Sequence, residues 1–302
     1  MLSLKSVIKV DVLCLGYACY DLVFSVPHHP HSDEKIVATD FVDCGGGPAA
    51  NAAVMVAKLG LKSAFSGYLG DDLQGESHYQ EFLRYQINTD FIQRGSTPTP
   101  MASILVKPNG DRALINYKGI TQPLTAESID FSTLNPKVIL LDGHQPHLSL
   151  ALLKQKETKQ IPTILDAGSI HEGSLALMGK VDYLICSEKF ALQHSQTLDS
   201  ALENLANLAP VVVITLGEKG LLWRRGLESG TLAAYPVNAV DSTGAGDAFH
   251  GAFATALALN KDWLECLRYA SAAGALCATK TGARLGLATQ DEHRRFLFEN
   301  TI

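Results

Sequence analysis

The stretch DSTGAGDAFHGAFATALA, residues 241–258, joins a turn of small residues to a long apolar run. Gly244 and Gly246 permit a tight turn and let a ligand approach the backbone closely. The apolar run from Ala248 onward predicts a buried helix. A bare turn that leads into a helix presents several N–H groups and the positive end of the helix dipole. The stretch therefore predicts an anion site that suits phosphate.

Asp247 lies in the first turn of this predicted helix. A carboxylate at this position complements the helix dipole, so the position by itself does not require a catalytic role. Beside a phosphate site it would also serve as a general base, taking a proton from a hydroxyl while nearby amides stabilise a transferring phosphoryl group. Taken alone, the motif supports both interpretations. Asp241 is expected to bond to its own turn.

A second glycine-rich segment, DCGGGPAANAAVMVAKLG at 43–60, predicts a tight turn into another helix. Pro48 suits the first helical position, and Gly46 and Gly47 let a ligand or another chain segment approach the backbone. Asn51 would face the same space or serve as a local polar contact. The chain has no G-x-x-x-x-G-K-[ST] phosphate-binding loop. It also has no G-x-G-x-x-G fingerprint after its first predicted strand, and this second absence disfavours an NAD-dependent dehydrogenase.

Apolar strands alternate with helical patterns along most of the chain. This alternation is typical of an α/β fold with a largely parallel sheet that helices cover on both faces. The predicted strands lie at 9–16, 63–67, 137–143, 162–168, 182–186 and 210–217. The predicted helices lie at 48–60, 73–86, 147–160 and 198–209.

Two segments, Leu22–Cys44 and Thr97–Gly119, break the alternation of strands and helices. The second predicts an antiparallel hairpin around PNGD at 108–111, because no helix separates its two apolar runs. We expect these segments, about 22–44 and 97–119, to form a small β lid over a site. No linker interrupts the chain, so 1–302 are expected to form a single domain.

The composition narrows the classes of partner. A net charge of −6 over 302 residues gives no general electrostatic reason to bind nucleic acid or an anionic membrane. No apolar run has the length of a membrane span, and the N-terminus lacks the layout of a signal peptide. We therefore expect a cytoplasmic protein. The six cysteines form no CxxC pair, which disfavours a zinc site.

Five motifs occur in a particular order: GYACYD at 16–21, GGGPAAN at 45–51, GYLGDDLQG at 67–75, TLGEKG at 215–220 and DSTGAGDAF at 241–249. This order resembles the ribokinase-like sugar kinases of the PfkB family over the whole chain. The segment that begins at Asp241 is the most specific part of the match. Within that family the likeness is greatest to ketohexokinase-like and sulfofructose-kinase-like members.

The resemblance implies a three-layer α/β/α sandwich with a mostly parallel central sheet and a small β lid. It also implies transfer of the γ-phosphoryl of ATP, with Mg²⁺, to a sugar hydroxyl. Asp247 would be the base, and Gly244, Ala245 and Gly246 would form the anion hole. The implied sugar contacts include Asp21, Gly46, Gly47 and Asn51. The implied nucleotide contacts are Thr215, Gly217 and Gly220. A monovalent cation such as K⁺ would bind behind the loop near Asp241 and Thr243.

The segment CSEKF, residues 186–190, departs from the family pattern. Many members carry Asn-x-x-Glu here and use it to place the metal ion. Ser187 stands where the family has Asn, and Phe190 stands where it has Glu. Glu188 is the available substitute, acting through water. Further along the chain, Arg284 is expected either to reach a phosphate or to lie on the surface.

The identity of the sugar stays open at this point. Lys35 and Asn116 match positions that contact the anionic end of sulfofructose in the kinases of that sugar. His144 stands where those kinases have an arginine, and a histidine donates fewer hydrogen bonds to an anion. A neutral ketohexose and an anionic sugar are therefore both compatible with these residues.

Two other functions remain open beside the sugar kinase, and the sequence also gives an expectation about the oligomeric state. A nucleoside kinase would share the fold, although Lys35 and Asn116 suit a polyhydroxyl or anionic substrate better than a flat base. The altered segment 186–190 would also suit a sugar or nucleotide sensor without activity, which the intact Asp247 motif argues against. Because an isolated lid exposes an apolar face and sheet edges, we expect a homodimer that forms through the lid.

Overall fold

The computed structural model describes residues 7–156 and 159–300. Within these residues nine strands form the main sheet. They are β1 (Ile8–Leu15), β4 (Ser63–Gly70), β5 (Asn88–Gly95), β8 (Leu134–Leu141), β9 (Thr163–Ala167), β10 (Tyr183–Ser187), β11 (Val211–Thr215), β12 (Leu221–Arg225) and β13 (Glu228–Leu232). Across the sheet their order is β13-β12-β11-β10-β9-β8-β1-β4-β5.

The main sheet is parallel from β11 across to β5, and β12 and β13 extend it antiparallel at the other edge. The six strands that the sequence predicts all form, with ends shifted by a few residues. β5, β12 and β13 were not predicted. They lie at or near the sheet edges and carry polar side chains, so they lack the continuous apolar pattern of the buried strands.

Helices pack on both faces of this sheet. They are α1 (Pro48–Lys58), α2 (Leu73–Arg84), α3 (Pro146–Lys156), α4 (Glu172–Leu177), α5 (Glu188–His194), α6 (Leu198–Ala206), α7 (Ala245–Ala258), α8 (Trp263–Ala278), α9 (Ala283–Gly286) and α10 (Gln290–Glu299). The predicted helix 147–160 corresponds to α3, and residues 157 and 158 lie outside the described residues. No helix among the described residues is long and apolar enough to cross a membrane.

The central strand β1 shows why two helical layers form. Its side chains alternate between the two faces of the sheet. Val12 and Cys14 join a hydrophobic cluster with α1, α2, α7 and α8, whereas Leu13 and Leu15 join another cluster with α3, α4, α5 and α6. The predicted three-layer α/β/α sandwich is therefore confirmed.

The lid is a separate sheet of four strands among the described residues, in the order β3-β2-β6-β7. Its strands are β2 (Cys19–Ser25), β3 (Asp40–Gly46), β6 (Met101–Val106) and β7 (Arg112–Tyr117). β2 and β6 run parallel, and the two outer pairs are antiparallel. The lid strands begin before residue 22 and end after residue 44, so Asp21 and Gly46 belong to the lid sheet.

Helices α1 and α7 cross closely, because small residues line both surfaces. A Cβ added to Gly251 would lie 2.7 Å from the carbonyl oxygen of Ala52. Ala49, Ala53 and Ala252 are fully buried near this crossing. The two glycine-rich turns that precede these helices are therefore brought together beside the carboxyl end of β1. That edge of a parallel sheet is where ligands bind in open α/β folds.

Candidate active site

The turn before α7 has the geometry expected of an anion site. Gly244 caps the helix with a φ of 76°, and a Cβ there would lie 2.5 Å from the Cβ of Ala283. The N–H groups of Gly246 and Asp247 point out of the helix start, because the first turn has no preceding helical carbonyls to accept them. The N–H of Ala245 donates to the carbonyl oxygen of Ser242 at 3.2 Å.

Asp241 holds this turn in place, as the sequence led us to expect. Its Oδ1 accepts hydrogen bonds from the backbone N–H of Thr243 at 2.8 Å and from the Thr243 hydroxyl at 2.6 Å. Its Oδ2 accepts the N–H of Gly282 at 2.8 Å. Both carboxylate oxygens therefore bind the protein itself. Backbone oxygens near Asp241 and Thr243 are the candidate ligands of a monovalent cation, and that cation site stays a prediction.

Asp247 is half-buried and faces α1. The amide Nδ2 of Asn51 donates to Asp247 Oδ2 at 2.7 Å. Burial raises the pKa of Asp247, and the hydrogen bond from Asn51 opposes that shift. Asn51 is 2% exposed, and its Oδ1 accepts a hydrogen bond from Arg284 at 3.0 Å. A direct contact between Asn51 and a sugar stays a prediction.

Asp21 lies on the lid strand β2 with its carboxylate against the first glycine-rich turn. A Cβ at Gly46 would lie 2.1 Å from Asp21 Oδ2, so glycine is needed there to admit the carboxylate. Burial raises the pKa of Asp21, and a hydrogen bond from the Cys19 thiol at 3.1 Å opposes it. Gly47 is the N-cap of α1. The structure thus brings Asp21, Gly46 and Gly47 together, and their contact with a sugar stays a prediction.

Asp142 organises the neighbouring loops and was not predicted from the sequence as a site residue. It follows β8 and accepts hydrogen bonds from the backbone N–H groups of Tyr17 at 2.8 Å, Ala49 at 3.2 Å and His144 at 2.9 Å. It therefore ties the ends of β1 and β8 to the start of α1. An acid directly after a buried parallel strand, as in VILLDG, was the available signal for this residue.

His144 lies beside the same loops. Its ring stacks on His171 with a centroid distance of 4.6 Å and contacts Tyr17 at 5.1 Å. The ammonium of Lys118 lies 5.2 Å from the ring centroid of Tyr17. Burial, together with the charges of His144 and Lys118, lowers the pKa of His171. Tyr17, Lys118 and His144 line a pocket with a volume of about 60 Å³.

Asp166 and His250 form a buried pair beneath the turn, and Asp166 was not predicted from the sequence as a site residue. His250 Nδ1 lies 3.3 Å from Asp166 Oδ2 and 2.7 Å from the carbonyl oxygen of Gly246. Burial raises the pKa of Asp166 well above its usual value, and the charges of Asp247 and Asp142 add to the shift. Burial lowers the pKa of His250. The pair supports the turn from behind.

The lid contributes two polar residues on the side that faces the site. In the strand register Asp21 pairs with Ala102, and Ala102 pairs with Asn116. Paired residues point to the same face of a sheet, so Asn116 shares the face of Asp21. Lys35, by contrast, lies exposed in the connection between β2 and β3. Its role in binding stays a prediction.

Arg112, on the lid strand β7, was not identified from the sequence. Its Nη1 donates to the hydroxyl of Thr243 at 2.6 Å. The hairpin tip also contacts this region, because a Cβ at Gly110 would lie 2.6 Å from the carbonyl oxygen of Val240. The lid therefore reaches the turn before α7 and brings a guanidinium next to it.

The predicted nucleotide side lies at the end of β11. Thr215 ends this strand, and its hydroxyl donates to the carbonyl oxygen of Cys186 at 3.3 Å. Gly217 begins a short 3₁₀ turn, and Gly220 follows that turn with a φ of 90°. A Cβ on Gly217 would meet no described atom within 4 Å. The space beside this residue is therefore open for a ligand.

The segment 186–190 gives no cluster of metal ligands. Ser187 is the N-cap of α5, and Phe190 is fully buried in the core. Glu188 pairs with Lys219 at 3.4 Å. Among the described residues no group of three or more His, Cys, Asp or Glu is arranged to hold a metal ion. Placement of the metal ion by Glu188 through water stays a prediction.

Arg284 lies elsewhere than the sequence suggested. It is 1% exposed and contacts Asn51, so the expectation of a surface position is wrong. The sequence could not show this, because the partners of Arg284 belong to distant parts of the chain.

Comparison with known proteins agrees with this fold. The model of the pfkB family carbohydrate kinases matches residues 9–290, and the chain belongs to that family. The protein is an ATP-dependent carbohydrate kinase, which transfers a phosphoryl group to an alcohol.

Within this family, the individual proteins that resemble the chain include several ribokinases. The chain is 28% identical to the ribokinase of Bacillus subtilis over 293 residues, which covers 95% of this chain and 99% of the relative. A ribokinase structure from Thermotoga maritima superposes with a TM-score of 0.85 at 29% identity, covering 96% and 99% of the two chains. The structure of an Arabidopsis thaliana ribokinase complexed with ribose and ATP superposes with a TM-score of 0.84 at 25% identity, covering 96% of this chain and 99% of that one. These relatives do not support the expected closer likeness to ketohexokinases.

Proposed function

We propose that the protein phosphorylates a hydroxyl of a small sugar in the space between Asp21 and Asp247. The observation that carries the proposal is the position of Asp247, a carboxylate beside the N–H groups at the start of α7. Asp247 accepts the proton of the attacking hydroxyl, whose oxygen bonds to the γ-phosphorus of ATP as the bond to the leaving ADP breaks. The backbone of Gly244, Ala245 and Gly246 binds the phosphoryl group in transfer. Asp21 and Asn116 orient the sugar from the lid side.

A closed lid excludes water, so the phosphoryl group passes to the sugar rather than to solvent. The contact between Arg112 and Thr243 supports such a closed arrangement. ATP would lie with its phosphates toward the turn before α7 and with its nucleoside toward Thr215, Gly217 and Gly220.

The metal ion would be held mainly by ATP and water. The half-buried carboxylate of Glu188 pairs with Lys219. This pairing fits a contact to the metal ion through water better than direct ligation. Mg²⁺ bound with ATP would neutralise charge on the β- and γ-phosphates, and it would be expected to keep several water ligands. For K⁺, backbone oxygens near Asp241 and Thr243 are the candidate ligands.

The choice of sugar rests on the relatives and on the sugar end of the site. The names of the relatives favour ribose or a similar small neutral sugar. The cationic Lys118 near His144 and His171 keeps an anionic sugar as a second candidate, and a ketohexose fits the same polar groups. Of these we favour the neutral sugar, because Asp21 adds a buried carboxylate that would repel an anion nearby.

A coupled assay of ADP release with a panel of acceptors tests the function. We expect turnover with ribose, 2-deoxyribose or fructose that exceeds the rate without sugar. Turnover with sulfofructose instead would favour the anionic class, and turnover restricted to adenosine would favour a nucleoside kinase. If every sugar fails with folded protein, the proposal is contradicted and a non-catalytic sensor is favoured.

Arg112→Met is expected to lower kcat by roughly tenfold to a hundredfold, because charge on the transferring phosphoryl loses a nearby guanidinium. The assay is ADP release at saturating sugar and ATP. Lys107→Met is the matched control, since Lys107 belongs to the same hairpin and pairs with Asp111 at 2.7 Å. We expect the control to change kcat less than about twofold. Equal effects of the two substitutions would contradict a specific role for Arg112.

We also propose a homodimer through the lid. The face of the lid opposite Asn116 is apolar and open: Phe24 and Phe41 contact each other at 4.9 Å, and Ile115 is 69% exposed. Ile115→Lys is expected to convert the dimer into a folded monomer in sedimentation velocity experiments, because burying an unpaired charge is costly. Leu227→Lys, at a position 100% exposed and outside the lid, should leave the dimer unchanged. A monomeric wild-type protein at assay concentration would contradict the dimer.

A further inference from the structure

Arg284 is the largest fully buried side chain among the described residues. From α9 its guanidinium reaches residues of two other helices. Nε donates to Asn51 Oδ1 at 3.0 Å, and Nη2 lies 3.2 Å from His78 Nε2. Nη1 lies 3.5 Å from Glu81 Oε1, and the other oxygen of Glu81 accepts the backbone N–H of Gly45 at 2.8 Å.

This cluster determines which way the amide of Asn51 points. A guanidinium has donors and no acceptor, so it must face the Oδ1 atom of Asn51. The Nδ2 group of Asn51 is then left to face Asp247, where it donates at 2.7 Å. If the amide were reversed, Oδ1 would lie against the Asp247 carboxylate and Nδ2 would lie against the guanidinium. Both contacts would be repulsive.

His78 is suited to accept from Arg284. Burial and the charge of Arg284 lower the pKa of His78 well below its usual value, so the imidazole is neutral. A neutral imidazole has one nitrogen that accepts a hydrogen bond, and Nε2 faces the guanidinium. Glu81 supplies the opposite charge. The guanidinium is therefore held in one orientation by groups that do not belong to the site surface.

We propose that Arg284 is a positioning residue, which acts through Asn51 to hold the Asp247 carboxylate in one orientation and in its charged form. The proposal rests on the function proposed above for Asp247. Arg284 touches neither sugar nor ATP in this arrangement. Its influence passes through the hydrogen bond between Arg284 and Asn51 and then through the bond between Asn51 and Asp247.

The charged form of Asp247 needs this support. Burial and Asp142 raise the pKa of Asp247, whereas Asn51, His250 and Arg112 lower it. The titratable or charged groups near Asp247 are Asp21, Arg112, Asp142, Asp166, His250 and the thiols of Cys19 and Cys277. Among the contributions that favour the anion, the hydrogen bond from Asn51 is the largest.

A need to fill space in the core does not explain why residue 284 carries a guanidinium. Burying an ion pair costs desolvation energy, and apolar residues of similar size often replace such a pair without loss of stability. A role in orienting Asn51 explains why a donor is present at 284. This role also predicts that removal of Arg284 changes proton transfer, which a loss of stability by itself would not do.

The test is the pH profile of kcat/KM for the sugar at saturating ATP, whose acid limb reports a base of the free enzyme. Arg284→Met is expected to move the acid limb to higher pH by about one unit, on the scale of one lost hydrogen bond to a carboxylate. The plateau is expected to fall roughly tenfold as Asp247 loses its orientation. Asn51→Ala should move the acid limb in the same direction.

The combined variant distinguishes action through Asn51 from a direct effect of charge. If Arg284 acts through Asn51, Arg284→Met added to Asn51→Ala moves the acid limb no further, because the intermediate is already absent. A full additional shift in the Asn51→Ala background would overturn the proposal. An acid limb that stays at its wild-type position in folded Arg284→Met would overturn it as well.

A second variant covers the case in which Arg284→Met does not fold. Removing the arginine leaves Glu81 buried without its partner, so the double substitution Glu81→Gln with Arg284→Met removes both charges. Glutamine at 81 can still accept the N–H of Gly45. The double variant is expected to show the same upward shift, and Glu81→Gln by itself is expected to show less than half of it. A wild-type acid limb in the double variant contradicts the proposal.

Failure of this inference can be distinguished from failure of the proposed function. If Asp247→Asn retains turnover, Asp247 is not the base and the proposed function fails. If Asp247→Asn is inactive while Arg284→Met keeps a wild-type profile, the proposed function stands and the role of Arg284 is wrong.

Discussion

Asp247→Asn is expected to lower kcat by about 10²- to 10⁴-fold, which is the usual range for loss of a general base. The amide has nearly the same shape and can still accept the hydrogen bond from Asn51, so binding of sugar and ATP should change little. Initial rates of ADP release give kcat, and calorimetric titration gives the two affinities. The expected result is a large loss of rate with binding retained.

The same substitution should not destabilise the fold. The raised pKa of Asp247 means that the charged form is disfavoured in the folded state relative to the unfolded chain. The carboxylate therefore lowers the free energy of unfolding as the pH rises above the usual pKa of an aspartate. A neutral amide removes this penalty, so thermal unfolding of Asp247→Asn at neutral pH should occur at or above the wild-type temperature.

Asp199→Asn is the matched control for the helix dipole. Asp199 is also an acid in the first turn of a helix, in α6, and it is exposed. If Asp247 acted merely by complementing the dipole, both substitutions would have small effects on stability and little effect on turnover. We expect Asp199→Asn to keep wild-type kcat. Equal activity of Asp247→Asn and Asp199→Asn would show that Asp247 is not the base.

The second large effect is expected from Gly246→Ala, with kcat/KM for ATP lowered by about 10²-fold. A Cβ at this position meets no described atom within 4 Å, so the protein itself leaves room for the methyl group. That room is where the phosphoryl group is proposed to pass, and the methyl group would displace it. Because alanine favours helix over glycine by roughly 0.5–1 kcal/mol, stability should be equal or higher.

Gly244→Ala is the contrasting variant at the same turn. Its φ of 76° is costly for alanine, by about 1–2 kcal/mol, and the new Cβ would lie 2.5 Å from Ala283. We therefore expect Gly244→Ala to lower the free energy of unfolding as well as the rate. Chemical denaturation and steady-state kinetics on both variants separate the two effects. Wild-type ATP kinetics in Gly246→Ala would mean that the phosphates bind elsewhere.

Much of the architecture was predictable because it rests on local patterns. The buried parallel strands and the helices α1 and α7 follow from apolar periodicity and from glycine at their starts. The strands at the antiparallel edge of the main sheet were missed, since their side chains are half polar and half exposed. Their place in the sheet depends on pairing with β11, which no local pattern specifies.

In the candidate site, too, some features follow from local sequence and others depend on tertiary packing. Asp247 and the bare turn of 244–246 are adjacent in the chain, so the role that we propose for them could be inferred from their spacing. Phe190 could be seen to replace the usual glutamate, but its burial in the core is a result of packing. Asp142 follows β8, and Asp166 lies one residue before the end of β9. The parallel sheet brings the carboxyl ends of these strands to one edge.

The sequence by itself determined the class of fold, the turn that suits a phosphoryl group and the acid beside it, because these features depend on neighbouring residues. Tertiary structure decided the surroundings of that acid. Arg284 meets Asn51 across 233 positions of the chain, and Arg112 meets Thr243 across 131. Such contacts form when the helices and the lid pack together. A buried donor must be hydrogen-bonded, and the tertiary fold determines which acceptor lies next to it.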